Sequence, residues 1–370
     1  MRTLNSGYVV KLGLGLMLIS VMVYLAWRTL ANPPDSKLVK ADNEFGFRIL
    51  KELLKKDPGK NILISPAGLA LDLQLAYNGA SGRTRHDMAK ALRLEGMSLG
   101  EINRANGRLT RMLENPNPGV KMDIANSILT GKGVRFRPEF LKTNERYYKV
   151  KVSNLGTSKP DGTLALVSAS RFDAQWMYKL DKSEYDHLPF RHRDQDWNDV
   201  EAVSSFGVFR FRSSVSGGPK IIRLPYVNRH TSMYLLDSYA EVLDARSREK
   251  WMSEMRQTVV TVCIPVWTTE YAADLGSSLK ALGIDLSSDA AKTDFGKMCL
   301  QPFNVTGIQH SARVEVREGG DRPAPQQRSA YPQAFLANHP FFFAIRDDRT
   351  GLILFMGWVA DPTEGLKPSD

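Results

Sequence analysis

Cysteine is nearly absent from this chain: two residues, Cys263 and Cys299, among 370. That excludes a disulfide scaffold and a Cys-rich zinc module. The short signatures of common enzyme classes are also missing. No H-E-x-x-H, C-x-x-C, P-loop or G-x-S-x-G occurs, so neither an enzyme nor a metal or cofactor protein is expected. Gly13-Leu14-Gly15 lies inside an apolar run and carries no phosphate-binding meaning. Internal repeats and low-complexity blocks are lacking too. Acidic side chains are in the minority, 40 against 50 Lys and Arg, for a net charge of +10. The excess suits an anionic partner such as nucleic acid, a membrane surface or a sulfated sugar, without choosing among them. What is present is ordinary: 42% apolar and 24% charged residues, enough for one large globular domain or two to three modest ones.

Residues 12–27 are almost all apolar, with Arg2 and Lys11 before them and Arg28 after. A bilayer span takes roughly 20 residues and the apolar part of a signal peptide roughly 7 to 15. This run falls between the two. Thr29-Leu30-Ala31 offers small residues for cleavage, and Asn32-Pro33-Pro34-Asp35 reads as a break. Residues 1–31 are therefore expected to be a cleaved signal peptide or an uncleaved signal anchor, followed by a linker over 32–41, a body over 42–365 and a tail over 366–370. In either case the body is expected outside the cell, secreted or, alternatively, anchored by the N-terminal segment. The sequon Asn304-Val305-Thr306 makes Asn304 a candidate glycosylation site.

In the body, apolar positions at helical spacing predict helices over 42–55, 66–77, 84–92 and 99–113. Pro66 suits the first turn of the second, and Thr84 can cap the third. Strand patterns then dominate: 122–129, 164–172, 200–211, 220–226, 233–236, 259–266, 312–316, 341–346 and 352–359, with helices over 247–255 and 275–282 among them. Helices first and a strand-rich remainder mean an α+β fold. Cys263, within Val262-Cys263-Ile264-Pro265, reads as a small buried hydrophobe, and Cys299 falls in a loop. A Cys263–Cys299 bridge stays open, with the strand context against it.

Taken in order, several segments resemble the serpin family. They are Asn61-Ile62-Leu63-Ile64-Ser65-Pro66, Gly79-Ala80-Ser81-Gly82-Arg83-Thr84, Ile124-Ala125-Asn126-Ser127-Ile128, residues 140–148 and 172–176, Leu224-Pro225-Tyr226, Ile264-Pro265, His310-Ser311-Ala312, His339-Pro340-Phe341 and Leu354-Phe355-Met356-Gly357. The resemblance implies helices packed on three β-sheets, with an exposed reactive loop near the C-terminus, here 318–338. In inhibitory members a serine protease cleaves that loop, which inserts into the largest sheet and drags the protease with it.

Several residues depart from that pattern. The hinge Glu318-Gly319-Gly320-Asp321-Arg322-Pro323-Ala324-Pro325 carries two prolines without the N–H that a central strand donates. Asp321 and Arg322 would face opposite sides of an inserted strand, so one charge would enter the core. Arg328-Ser329 is the bond that a trypsin-like protease would prefer, at a position resembling the family's scissile bond. Arg328 reads equally as an ordinary exposed loop arginine. From Glu318 to Arg328 the chain reaches at most about 35 Å, short for an inserting strand. The family's helix across the large sheet has no room between 153 and 163, where Gly156, Pro160 and Gly162 fall. The polar cluster at which the sheet opens maps to Ser65, Ser168, His310 and Trp176, with Gly68 in place of a hydroxyl. His310 reads as a satisfied core histidine able to bond Ser168, not as a catalytic base.

Arg104, Arg108 and Arg111 share one face of the fourth helix and suit a heparin-like polyanion, or form a solvated face. A non-inhibitory binding or scaffold role is expected. The alternative is a serine protease inhibitor acting on trypsin-like proteases through Arg328-Ser329 by active-site blockade. Partners are then a trypsin-like protease or another protein ligand. Nucleic acid is the least expected partner, and the chain is expected to be a monomer.

Overall fold

The computed structural model describes residues 36–114, 119–154, 162–182, 186–192, 196–214, 218–238, 245–286, 294–329 and 331–365. The expected leader and tail fall outside this set. Among the described residues no helix is long and apolar enough to cross a membrane.

The chain opens with α1 (Ser36–Lys56), whose stripe of Leu38, Phe45, Ile49, Leu50 and Leu53 is fully buried. The helix begins six residues before the expected boundary at 42. Leu38, Val39 and Ala41 continue the buried stripe, so 36–41 is helix and not linker. After β1 (Ile62–Ile64), α2 (Pro66–Gly79) starts on Ser65, whose Oγ accepts from the Gly68 N–H at 3.2 Å, with Pro66 in the first turn. Every residue of α2 is buried. In α3 (Gly82–Ala91) the expected cap is displaced. Ser81 holds the cap position and gives its hydroxyl to Asp294, while Thr84 lies inside the helix and accepts from the Asp294 N–H. A capping box starts α4 (Leu99–Glu114): the Ser98 N–H donates to Glu101 and the Glu101 N–H to the Ser98 hydroxyl. A further helix, α5 (Pro138–Tyr148), completes this layer.

A five-stranded sheet runs in the order β10 (Trp267–Asp274), β11 (Asn304–Val316), β4 (Thr163–Ala174), β2 (Val120–Thr130), β3 (Lys151–Asn154). Its central pair, β11 and β4, is parallel. The other two expected sheets are hydrogen-bonded into one of nine strands. Its order is β1, β14 (Ile353–Val359), β13 (Phe341–Asp347), β8 (Thr231–Leu236), β7 (Ile221–Pro225), β6 (Trp197–Arg212), β9 (Arg256–Pro265), β12 (Gln333–Leu336), with β5 (His187–Arg191) beside β6. The joint is β6, a strand of 16 residues long enough to pair with β5 over its first part, with β9 over the rest and with β7 at its end. Two short helices, α6 (Ala245–Glu254) and α7 (Gly276–Ala281), complete the chain.

The sheets meet through aromatic rings. Trp267 stands edge-on to Phe341 and Phe343, with ring centroids 5.2 and 5.8 Å away. Both cysteines are buried and reduced, so the open question of a bridge closes against it. Burial pushes the Cys263 and Cys299 thiols up to about 11 and about 12, which leaves them unreactive.

The link between β3 and β4 is short for a topological reason. β2 is parallel to β3 and antiparallel to β4, so β3 ends at the same end of the sheet where β4 begins. The strands end at Asn154 and resume at Thr163, and no crossover helix is needed to span that distance. Residues 155–161 lie outside the described set.

Helices α1, α2, α4 and α5 are held by a buried polar chain. Gln74 donates to Asp42 and accepts from Asn106, which also donates to the Tyr148 hydroxyl. Tyr148 donates to Asn103, Asn103 to Asn78, and Asn78 to Asn144. Burial raises the Asp42 carboxyl to about 7 against the pull of its Gln74 bond. The folded state therefore keeps this proton where the unfolded chain has lost it. Its stabilising contribution is complete below the unfolded value of 3.8 and disappears as pH rises to about 7. Asp42→Asn keeps the acceptor for Gln74 and removes the ionisation. In urea denaturation the variant should gain on the parent between pH 5 and pH 8 by about 2–4 kcal/mol. An equal gap at both pH values would show that Asp42 ionises normally.

Candidate functional site

Two places on the five-stranded sheet define the site: the seam between β11 and β4, and the loop that leaves the end of β11. Along the seam the pairing runs from Asn304 opposite Thr163 to Val314 opposite Phe172, with a one-residue register shift between Val305 and Gly307, and His310 lies opposite Ser168. The start of α2 packs beneath. The Ser65 N–H donates to His310 Nε2 at 3.2 Å, and the Ser65 hydroxyl donates to the Leu354 carbonyl at 2.8 Å. The expected His310–Ser168 bond is not made. Ser168 donates instead to Asn126 Oδ1 at 3.3 Å, and Asn126 Nδ2 returns to the Gly68 carbonyl at 3.2 Å. Burial pulls the His310 imidazole down to about 3, so it is neutral and serves as an acceptor.

Gly68 makes this convergence possible. A Cβ there would come within 2.9, 3.1 and 3.2 Å of the hydroxyls of Ser170, Ser168 and Ser65. Asp72, one turn further along α2, is buried with its pKa pushed well above the carboxylate range by desolvation, against the opposing pull of its hydrogen bond with Ser168. Sequence reasoning missed Asp72, Asn126 and Ser170. Asp72 was the legible one, a single acid inside the apolar run of 69–75.

Trp176 does not belong to this cluster. It lies past the end of β4, stacked on Tyr226 with centroids 4.6 Å apart, and its Nε1 donates to the Arg317 carbonyl at 3.0 Å. There it guards the point where the loop begins.

The loop is clamped where the hinge was expected. Arg317 and Glu318 are exposed after β11 ends at Val316. Gly319 then exchanges both backbone hydrogen bonds with Leu180, each 2.9 Å, and the Lys179 N–H donates to the Arg322 carbonyl at 2.6 Å. Gly320 sits between them at φ +86°, where a side chain would collide with the Tyr178 carbonyl. Further on, Ala324 is buried against Gly207. The Pro325 carbonyl accepts from the Val208 N–H at 2.7 Å, and the Gln326 side chain donates to the Phe206 carbonyl at 2.9 Å. Asp321, Arg322, Pro323 and Pro325 keep their side chains in solvent. Each proline contributes what it still has, a carbonyl or a fixed φ, and is asked for no N–H.

Arg328 and Ser329 are exposed beyond this clamp. The Tyr331 N–H donates to the Ser329 hydroxyl at 3.3 Å, and Tyr331 is itself 86% exposed. On α4, Arg104 and Arg111 are exposed and Arg108 is half-buried, opposite the buried Ile102, Ala105 and Leu109. Asn304 is the half-buried first residue of β11. Among the described residues no group of three His, Cys, Asp or Glu could hold a metal ion.

A sheet with a closed parallel seam, polar side chains beneath it, and a long loop running from one seam strand over the molecule is the architecture of a reactive-loop protein. The chain belongs to the serpin family: the family model described as "Serpin (serine protease inhibitor)" matches residues 40–162 and 151–362. It is similar to Serpin B8 of Bos taurus, 26% identical over 88% of this chain and 99% of the relative. It is also similar to corticosteroid-binding globulin of Bos taurus, 25% identical over 89% and 92%. A solved structure of native protease nexin-1 with heparin superimposes with a TM-score of 0.77 at 24% identity, covering 90% of this chain and all of that one.

Gly320→Ala tests the clamp directly. The added Cβ should free residues 319–322, speed hydrogen exchange at Lys179 and Gly319, and leave the melting temperature nearly unchanged. Unaltered exchange at both amides would mean that the clamp does not depend on Gly320.

Proposed function

We propose that this serpin is an exported, non-inhibitory binding or scaffold protein. The observation that carries this reading is the clamp at Gly319–Pro325. Insertion into the seam would break four backbone hydrogen bonds to Leu180, Lys179 and Val208 and expose Ala324. It would also place two prolines and the charges of Asp321 and Arg322 inside a central strand. A serpin can serve by binding, as the name of corticosteroid-binding globulin states for that relative. A cavity of about 430 Å³ between α1, α6 and the nine-stranded sheet supports the binding role here. Val39, Phe47, Trp251 and Phe342 give it apolar walls, and Arg248 lies over the Phe47 ring at 3.6 Å.

The exposure of Arg328 and Ser329 favours a second reading, blockade of a trypsin-like protease that leaves the clamp in place. Incubation with trypsin-like proteases separates the outcomes. The first reading expects cleavage at Arg328-Ser329, no SDS-stable complex, and no large rise in melting temperature after the cut. An SDS-stable complex, or a gain of tens of degrees, overturns it. Tight inhibition without such a complex would instead establish blockade.

The exposed guanidinium groups of Arg104 and Arg111, with Arg108 between them, support a polyanion site on α4. The nexin-1 structure contains heparin, and the same chemistry is testable here. Changing all three to Ala should lower the salt concentration needed for elution from heparin resin. Unchanged elution removes α4 as the site.

A further inference from the structure

β2 has an unused edge. It pairs with β4 over its whole length but with β3 only across Ser127–Thr130. Among the described residues, no backbone hydrogen bond reaches the other edge of residues 120–124. In an antiparallel strand every second residue turns its N–H and C=O away from its partner, so this edge offers free donors and acceptors. Lys121, Asp123 and Ala125 are exposed on the outer face. Val120, Met122 and Ile124 are half-buried against the core on the inner face.

We propose that this edge pairs with the same edge of a second copy of the chain, antiparallel about a twofold axis at Met122. A twofold contact must be self-complementary, and the charges select the register. Centred on Met122, Lys121 lies opposite Asp123 of the second copy, and Asp123 opposite its Lys121. Two opposite-charge cross-strand pairs form together. Centring on Asp123 sets two carboxylates face to face, and centring on Lys121 sets two ammonium groups face to face. On the inner face, the Met122 register puts Val120 opposite Ile124 of the second copy, and Met122 opposite its own counterpart. The half-buried apolar trio thereby finishes its burial. Gly119 is in the left-handed region at φ +74° and ends the strand, so five residues pair. So small a contact belongs with the weak, transient interfaces below about 1,200 Å². The dimer therefore forms at high concentration, and the dilute chain is the monomer expected from its sequence. The two five-stranded sheets become one continuous sheet. The loop at 318–338 takes no part.

Sedimentation equilibrium of the purified chain from micromolar to several hundred micromolar reads the association. The parent should show mass rising toward the dimer. Lys121→Asp alone and Asp123→Lys alone each place two like charges opposite one another and should weaken association roughly tenfold or more. The double swap Lys121→Asp/Asp123→Lys restores opposite charges with reversed polarity and should restore the dimer. Both residues are exposed, so folding is preserved, and unchanged melting checks it. Met122→Cys supplies a second readout, a symmetric disulfide dimer on mild oxidation that is lost when Lys121→Asp is added. A parent that stays monomeric throughout, single variants that associate as well as the parent, or a double swap that fails to recover each overturn the proposal.

Discussion

The parallel pairing of β11 with β4 is the constraint on which the rest of the molecule depends. Ten residue pairs run side by side, interrupted only by the shift between Val305 and Gly307, and His310 and Asn126 beneath them are bonded to the start of α2. Beneath the seam Ser65, Gly68, Asn126 and Ser168 are tied into one hydrogen-bonded set, while His310 Nδ1 and the Ser170 hydroxyl have no partner among the described residues. Gly68 is the permissive element: without a Cβ, the helix can approach three hydroxyls at once. The seam's closure explains why the loop lies elsewhere. Its backbone groups need partners, and they find them on 178–180 and 206–208.

The same economy governs the prolines. In a central strand Pro323 and Pro325 would each delete a ladder bond. In the clamp they delete no bond, because beyond Gly319 the backbone is held through the carbonyls of Arg322 and Pro325 and no N–H is required of either proline. Residues that oppose one conformation are thus matched to another, and the energetic bias comes from both sides at once.

Much of this was legible in the sequence. The apolar spacing of α1, α2 and α4 and the alternation of β2, β4 and β6 announced the fold, because burial on one face imposes a period. The family's ordered segments placed the seam histidine, which the structure sets opposite Ser168. The misses have physical causes. The extension of β11 back to Asn304 was hidden by Gly307 and by the polar residues Gln309 and His310, which tertiary pairing overrides. Thr84 looked like a cap because propensity ignores the next turn, and Asp294 arrives from 210 residues away. The clamp was invisible, since Gly320 and Gly207 reveal their purpose only when the opposing carbonyls and Ala324 are placed in space. The His310 partner was misread for the same reason: strand register brought it opposite Ser168, but the backbone of Ser65 reached its ring first.

The pairing of β1 with β14 has a consequence for how the molecule is made. Ile62–Ile64 lies against Met356–Trp358, nearly the full chain apart, and the Asn61 side chain accepts from the N–H groups of Ala360 and Asp361. At ordinary rates of synthesis, roughly 15–60 s separate the appearance of the two strands. For that interval the N-terminal helices exist without the sheet they must cover. Contacts of such high sequence separation slow folding and leave apolar surface open to other chains. The newborn protein is therefore most vulnerable before its last strand emerges, and a truncation that removes β14 would strand every element made before it.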